Sequence, residues 1–73
     1  MSEEAKFLLM SLVDKMACMA MEEYNMSMAE ALDLVFRSET YSKIEDLQTG
    51  LYYQSAAYNF SLLKHEVAYG KIL

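Results

Sequence analysis

Cys18 is the only thiol in this chain of 73 residues, so it is the first residue to weigh as a nucleophile. On a helix, Asp14 and Glu22 each lie one turn away from it. Two carboxylates oppose formation of the thiolate, whereas Lys15, three residues earlier, favours it. No helix N-terminus or placed histidine assists. The sequence therefore predicts a structural cysteine that behaves as a small apolar residue.

His65 is the only histidine, and it lies one helical turn from Leu62 and Tyr69. In this setting it can serve a pH-sensitive contact or lie partly exposed at an interface. A metal site needs further ligands at defined spacings, and no HxxxH, ExxH or CxxC pattern accompanies it. We therefore expect no metal.

Acidic residues occur as neighbouring pairs, which invites comparison with two-carboxylate acid–base sites. Members of a sequential pair diverge by about 100° on a helix, so they are expected to be solvated surface groups. With two glycines in all, the chain also has no glycine-rich loop for phosphates. We expect no catalytic residues and no cofactor. The pairs are Glu3/Glu4, Glu22/Glu23 and Glu45/Asp46.

The formal net charge of −5 argues against partners that are themselves anionic. Nucleic acids and anionic lipid headgroups would be repelled. The second and third predicted helices could be imagined as a helix-turn-helix, but the would-be recognition helix carries Glu39, Glu45 and Asp46 against Lys43 alone. We expect neither nucleic-acid nor membrane binding.

Chain length favours self-association. We treat residues 1–73 as one domain, and a chain this short buries only about 60% of the surface that its unfolded form exposes. A single cysteine excludes an intrachain disulfide, so a homodimer is the expected source of extra stability. The acidic start at Ser2, Glu3 and Glu4 does not suit a secretory signal, and we expect a cytoplasmic protein.

The stretch from Phe7 to Met21 dominates the apolar pattern, within a helix predicted from near Ser2 to about Glu23. This apolar stretch is too short to span a bilayer. Its apolar arc is wider than that of an ordinary surface helix, with Met10, Ala17 and Met21 beside the main face. Either this helix is central, or its second flank packs against another chain. The main face comprises Leu8, Leu9, Leu12, Val13, Met16, Met19 and Ala20.

Two shorter helices are predicted next. Ser27 and Glu30 form a capping box, so a helix begins at Met28. Ser38 is a cap for a short helix from Glu39 to about Leu47. The second helix should pack through Met28, Ala31, Leu32, Val35 and Phe36, and the third through Tyr41, Ile44 and Leu47.

The last segment begins after a break at Gln48–Gly50. Leu51–Tyr53 can be an extended segment or a stiff loop, and the final helix should be capped by Ser55 and ended by Gly70. This helix has two apolar stripes. Ala56, Phe60, Leu63 and Val67 form the predicted core stripe. Tyr58, Leu62, His65 and Tyr69 form a second stripe without an assigned neighbour, which we predict to be a partner surface, with Met10 and Met21 as further candidates.

Residues 38–70 carry a TGLY turn at Thr49–Tyr52, a Ser55-x-x-Tyr58 step and a Leu-Leu-Lys-x-Glu run at 62–66. In these features the chain resembles a family of small uncharacterised bacterial proteins. Some relatives in similar families are encoded beside genes assigned as toxins, so the resemblance implies an antitoxin-like, partner-binding role. It implies no catalytic residues.

These patterns together predict an all-α domain, a small dimeric bundle of three main helices and one short helix. The expected function is a non-enzymatic, self-associating protein-interaction module. The alternative is a small ligand-binding or regulatory module that uses a pocket lined by Met and Tyr side chains.

Overall fold

The computed structural model describes residues 2–70, and this part of the chain is all-helical, as predicted. Four α-helices occur within it. They are α1 (Glu3–Tyr24), α2 (Met28–Arg37), α3 (Glu39–Glu45) and α4 (Ala56–Tyr69), with two 3-10 turns at Leu47–Thr49 and Leu51–Tyr53 between α3 and α4. Among residues 2–70, no helix combines the length and the hydropathy needed to cross a bilayer.

Serine hydroxyls start all four helices, as the sequence predicts. Ser2, Ser27, Ser38 and Ser55 each accept a hydrogen bond from a backbone N–H in the first turn of the helix that follows. At Ser27 the bond is reciprocal, because Glu30 accepts from the backbone N–H of Ser27 at 2.9 Å. These caps satisfy donors that a helix leaves unpaired.

Left-handed residues end the two longest helices. Asn25 follows α1 with φ 52°, and Gly70 follows α4 with φ 78°. A backbone in this region disfavours side chains other than those of Gly, Asn and Asp. The predicted end of α4 at Gly70 is therefore confirmed.

Helix α1 is the central element of the fold. It packs against α2, α4 and the second 3-10 turn. These neighbours within the same chain account for its wide apolar arc. Ala17, which lies beside the main face, is fully buried with it. The core comprises Leu9, Leu12, Val13, Met16, Ala17, Ala20, Ala31, Val35, Ile44, Phe60 and Leu63.

Helix α3 is shorter than predicted, and the prediction that Leu47 lies in the core is wrong. The helix ends at Glu45, because the Asp46 carboxylate accepts from the backbone N–H of Gln48 at 3.0 Å and starts a 3-10 turn there. The change of helix type turns Leu47 outward, where it is 42% exposed. Thr40, which the apolar pattern omitted, is buried in its place beside Ile44.

Phe36 and Tyr41 also lie farther from the core than predicted. Phe36 is exposed and Tyr41 is half-buried. Their rings meet edge to face, with centroids 5.1 Å apart. They therefore form a contact between α2 and α3 at the edge of the core.

Leu51–Tyr53 is a 3-10 turn, so the alternative of an extended segment is wrong. Gly50 immediately precedes this turn, with a left-handed backbone conformation at φ 70°. The fully buried Asn59 then fixes the turn, because its Nδ2 donates to the carbonyl of Leu51 at 2.9 Å and to that of Ser55 at 3.2 Å. A buried side-chain amide thus ties this segment to α4.

We expect Asn59→Ala to lower the free energy of unfolding by about 1–3 kcal/mol, because it removes the two side-chain hydrogen bonds to the carbonyls of Leu51 and Ser55 and empties a fully buried position. The matched control is Gln48→Ala, at an exposed position, which should change it by less than about 0.5 kcal/mol. Urea titrations measure both. Equal midpoints for the two variants would show that Asn59 does not tie the turn to the helix.

Candidate interaction surface

The rotation of α4 decides which of its two apolar stripes is available to a partner. Phe60 and Leu63 are buried and Ala56 is half-buried, which agrees with the predicted core stripe. Val67 is 47% exposed, so its assignment to the core is wrong. It lies in the last turn of α4, where it borders an open groove against Leu34 of α2.

The second stripe lies on the outer side of α4. Tyr58 is 49% exposed and Tyr69 is 71% exposed, while Leu62 and His65 between them are half-buried. The rings of His65 and Tyr69 contact each other, with centroids 4.6 Å apart. The four residues recur at intervals of four, three and four, which keeps them on one helix face. We call this set, Tyr58, Leu62, His65 and Tyr69, the α4 stripe.

Charged residues flank the α4 stripe without joining it. The Lys64 ammonium lies 3.7 Å from the Glu23 carboxylate of α1. The Glu66 carboxylate is turned toward α3, as described below. The stripe itself therefore carries no carboxylate, although the whole chain has a net charge of −5.

Glu66 attaches α4 to the start of α3. Its carboxylate accepts from the backbone N–H of Glu39 at 2.8 Å, and from the backbone N–H and hydroxyl of Thr40 at 2.9 and 2.8 Å. Partial burial alone would raise the pKa of Glu66, but these hydrogen bonds favour the charged form and the pKa lies below its ordinary value. We call these three hydrogen bonds the Glu66 clamp. They hold the Glu66 carboxylate against the start of α3 and help to set the rotation of α4.

The Glu66 clamp predicts acid sensitivity. Because the pKa of Glu66 is lower in the folded chain, its contribution to stability is fully present above the ordinary pKa of about 4.3 and is lost as pH falls through the folded value. Glu66→Gln should therefore reduce the dependence of the urea midpoint on pH below about pH 5, and should cost about 1 kcal/mol at pH 7.

A smaller pH dependence should remain in Glu66→Gln, since the capping-box hydrogen bonds from Ser27 also lower the pKa of Glu30. Thr40→Val is the companion variant. It removes only the hydroxyl donor, so its effect at pH 7 should be smaller than that of Glu66→Gln. An unchanged pH profile in Glu66→Gln would contradict the clamp.

Met10 and Met21 are not brought together with the α4 stripe. Leu8 borders a groove shared with Ala56 at the start of α4, and Met10, two residues on, lies on the opposite side of α1. Met10 is exposed, whereas Met21 is half-buried against the core. A role for these methionines in a contact stays a prediction.

Cys18 is exposed, so the prediction of a structural cysteine that behaves as a small apolar residue is wrong. It lies on the solvent side of α1, eleven residues from the exposed Phe7. Eleven residues correspond to about three helical turns, which places both on one side. No core contact depends on its sulfur.

Cys18→Ala should therefore fold normally, with a melting temperature within about 2 °C of the parent chain, because exposed substitutions rarely change stability by more than about 0.5 kcal/mol. Thermal unfolding followed by circular dichroism checks this. A loss of self-association in this variant with unchanged melting would mean that the thiol lies in the contact.

Two surface grooves bear on the alternative of a ligand pocket. The larger, of about 330 Å³, lies between α2 and α4 and includes Leu34, Leu63 and Val67. The smaller, of about 170 Å³, lies between α1 and the second 3-10 turn and includes Tyr52 and Tyr53. Neither wall contains a methionine. Within residues 2–70, no group of three or more His, Cys, Asp or Glu side chains is gathered closely enough to hold a metal ion.

Asn59 and Thr40 are the residues of this region that sequence reasoning missed. Helical phase alone could have found Asn59, since it lies next to Phe60 and four residues before Leu63 on the buried side of α4. The same phase relates Thr40 to Ile44, four residues later on α3, whereas its hydrogen bonds with Glu66 join distant parts of the chain and have no local signal.

Comparisons of this chain with known proteins found no matching family model, no matching curated protein and no matching solved structure. The resemblance of residues 38–70 to a family of small bacterial proteins stays a prediction.

Proposed function

We propose that the chain is a non-enzymatic protein-interaction module, and that its α4 stripe contacts a second copy of the same chain. The observation that carries this proposal is the exposure of Tyr58 and Tyr69 on a face of α4 whose opposite side already packs in the core. Tyrosine pairs a large apolar ring with a polar hydroxyl and is enriched in interfaces.

Net charge bears on where a second copy could bind. Two chains of net charge −5 repel each other, so they should meet where carboxylates are absent. The α4 stripe is such a place, because Glu66 is held by Glu39 and Thr40. The small flanking residues Ala57, Ser61 and Ala68 allow the close approach of another helix.

The size of the surface sets the expected strength. The stripe spans twelve residues, about 16 Å along a helix about 10 Å wide. This is less than the roughly 800 Å² per partner of a standard interface. We therefore expect a weak dimer, with a dissociation constant of about 10 μM, which corresponds to about −7 kcal/mol.

The antitoxin-like form of this proposal requires a second, different protein, which the α4 stripe would bind as a partner surface. Its support is the resemblance of residues 38–70.

A separate alternative, the small-ligand module, has less support from the grooves. Both are open to solvent, and typical ligand pockets measure about 300–1,000 Å³ and enclose most of the ligand. Native mass spectrometry of the purified chain distinguishes this alternative, since a ligand would appear as added mass.

Sedimentation of three α4 variants tests the proposed contact. The parent chain should be dimeric at tens of micromolar. Leu62→Glu should give a folded monomer, because burying an unpaired charge in the contact costs several kcal/mol. Phe60→Glu should unfold the chain, because Phe60 lies in the core. Val67→Glu is the matched control, an exposed apolar residue away from the stripe, and should leave the dimer intact.

A parent chain that is monomeric at these concentrations would contradict the proposal. A folded Leu62→Glu variant that still dimerises would remove the α4 stripe from the contact. An unfolded Leu62→Glu variant beside a tolerated Phe60→Glu would mean that α4 has the opposite rotation.

A further inference from the structure

We propose that residues 64–70 form a unit that opens separately from the rest of the fold, and that the Glu66 clamp is the latch that holds this unit closed. Burial changes abruptly along α4. Asn59, Phe60 and Leu63 in its first half are buried, whereas every residue from 64 to 70 is half-buried or exposed. The two halves of one helix are therefore attached to the core in different ways.

The second half of α4 has little apolar cover from the neighbouring helices. A groove of about 330 Å³ lies between it and α2, bordered by Leu34 and Val67. Val67 and Tyr69 are both exposed. Regions with few buried apolar contacts open at a lower free energy than the core does. Burial of apolar surface therefore contributes little to holding residues 64–70 in place.

Polar contacts attach this half of α4 to its neighbours. The Glu66 carboxylate accepts three hydrogen bonds from the first two residues of α3, at 2.8–2.9 Å, and bonds to a charged acceptor are the strong ones. The ion pair of Lys64 with Glu23 is longer, at 3.7 Å, and its side chains are 48% and 44% exposed, so it contributes little. Loss of the clamp therefore lets α4 unwind back to Leu63 and also frees the start of α3.

Opening of the unit divides the α4 stripe, a consequence that rests on the proposed self-association. Tyr58 and Leu62 lie in the anchored half of α4, whereas His65 and Tyr69 lie within residues 64–70. The ring contact of His65 with Tyr69, at 4.6 Å between centroids, is internal to the unit. The stripe is therefore complete only while the latch is closed, so the clamp controls the surface that is offered to a partner.

Native-state hydrogen exchange at pH 7 tests the separate opening. Exchange is followed by mass spectrometry with fragmentation to single residues. The amides of Val67 and Thr40 should be protected roughly tenfold less, or lower still, than those of Met16 and Val35, whose side chains are fully buried. Urea below the unfolding transition should speed exchange at Met16 and Val35 but not at the other two, because the local opening exposes little surface.

Glu66→Gln tests the latch. Glutamine keeps the size of the side chain but has no charge and only one accepting oxygen. The protection of the Val67 and Thr40 amides should therefore fall together by about fivefold, which corresponds to about 1 kcal/mol. Thr40→Val keeps both backbone donors and should give a smaller fall at Val67.

Glu23→Gln is the matched control for Glu66→Gln. It removes a carboxylate that contacts the same half of α4 through Lys64. Because that ion pair is largely exposed, the protection of the Val67 and Thr40 amides should change by less than about twofold.

Two results would overturn the proposal. Equal protection and equal urea dependence at Val67, Thr40, Met16 and Val35 would show that no separate unit opens. Unchanged protection at Val67 and Thr40 in Glu66→Gln would show that the clamp is not the latch.

Neither result depends on self-association when exchange is followed at about 1 μM, where the proposed dimer is largely dissociated. A parent chain that sediments as a monomer at tens of micromolar would contradict the proposed self-association alone.

Discussion

Burial of the wide apolar arc of α1 is the constraint on which the structure depends. An ordinary amphipathic helix needs one neighbour, but this arc extends from Leu12 through Ala17, and both residues are buried. Helix α2 covers part of it, while α4 and the second 3-10 turn cover the rest. The order of the remaining elements follows from that need, because a chain this short has few other apolar surfaces with which to stabilise itself.

Two polar tethers determine how α4 meets this core. Asn59 binds the 3-10 turn that precedes the helix, and Glu66 binds the start of α3 near its end. Together with buried Phe60 and Leu63, they fix the rotation of α4 at both ends. The Asn59 Nδ2 and the Glu66 carboxylate would lose these hydrogen bonds in another rotation of α4, so they favour the observed one. The outward position of Tyr58 and Tyr69 is a consequence of that rotation.

Local signals in the sequence were sufficient for the helix boundaries that side-chain caps define. Each of these caps involves residues only a few positions apart, so the sequence pattern alone locates it. The examples are Ser27 with Glu30, Ser55 and Gly70. Features that depend on distant partners were not predictable in this way. Thr40 binds Glu66, which lies 26 residues away in the sequence, and Val67 is exposed where it borders the groove between α2 and α4. The α4 stripe lies between these cases. Helical phase groups its four residues, but only the packed structure shows which stripe faces outward.

We propose that the outer face of α4 is covered by a second copy of the chain. A dilution series of two-dimensional ¹H–¹⁵N NMR spectra, from several hundred micromolar to a few micromolar, spans the expected dissociation constant. If the face is covered in this way, the amide resonances of Tyr58, Leu62, His65 and Tyr69 should shift together on dilution, while those of exposed Phe7 and Leu47 should not. Shifts confined to residues outside α4, or spectra that do not change across the series, would contradict it.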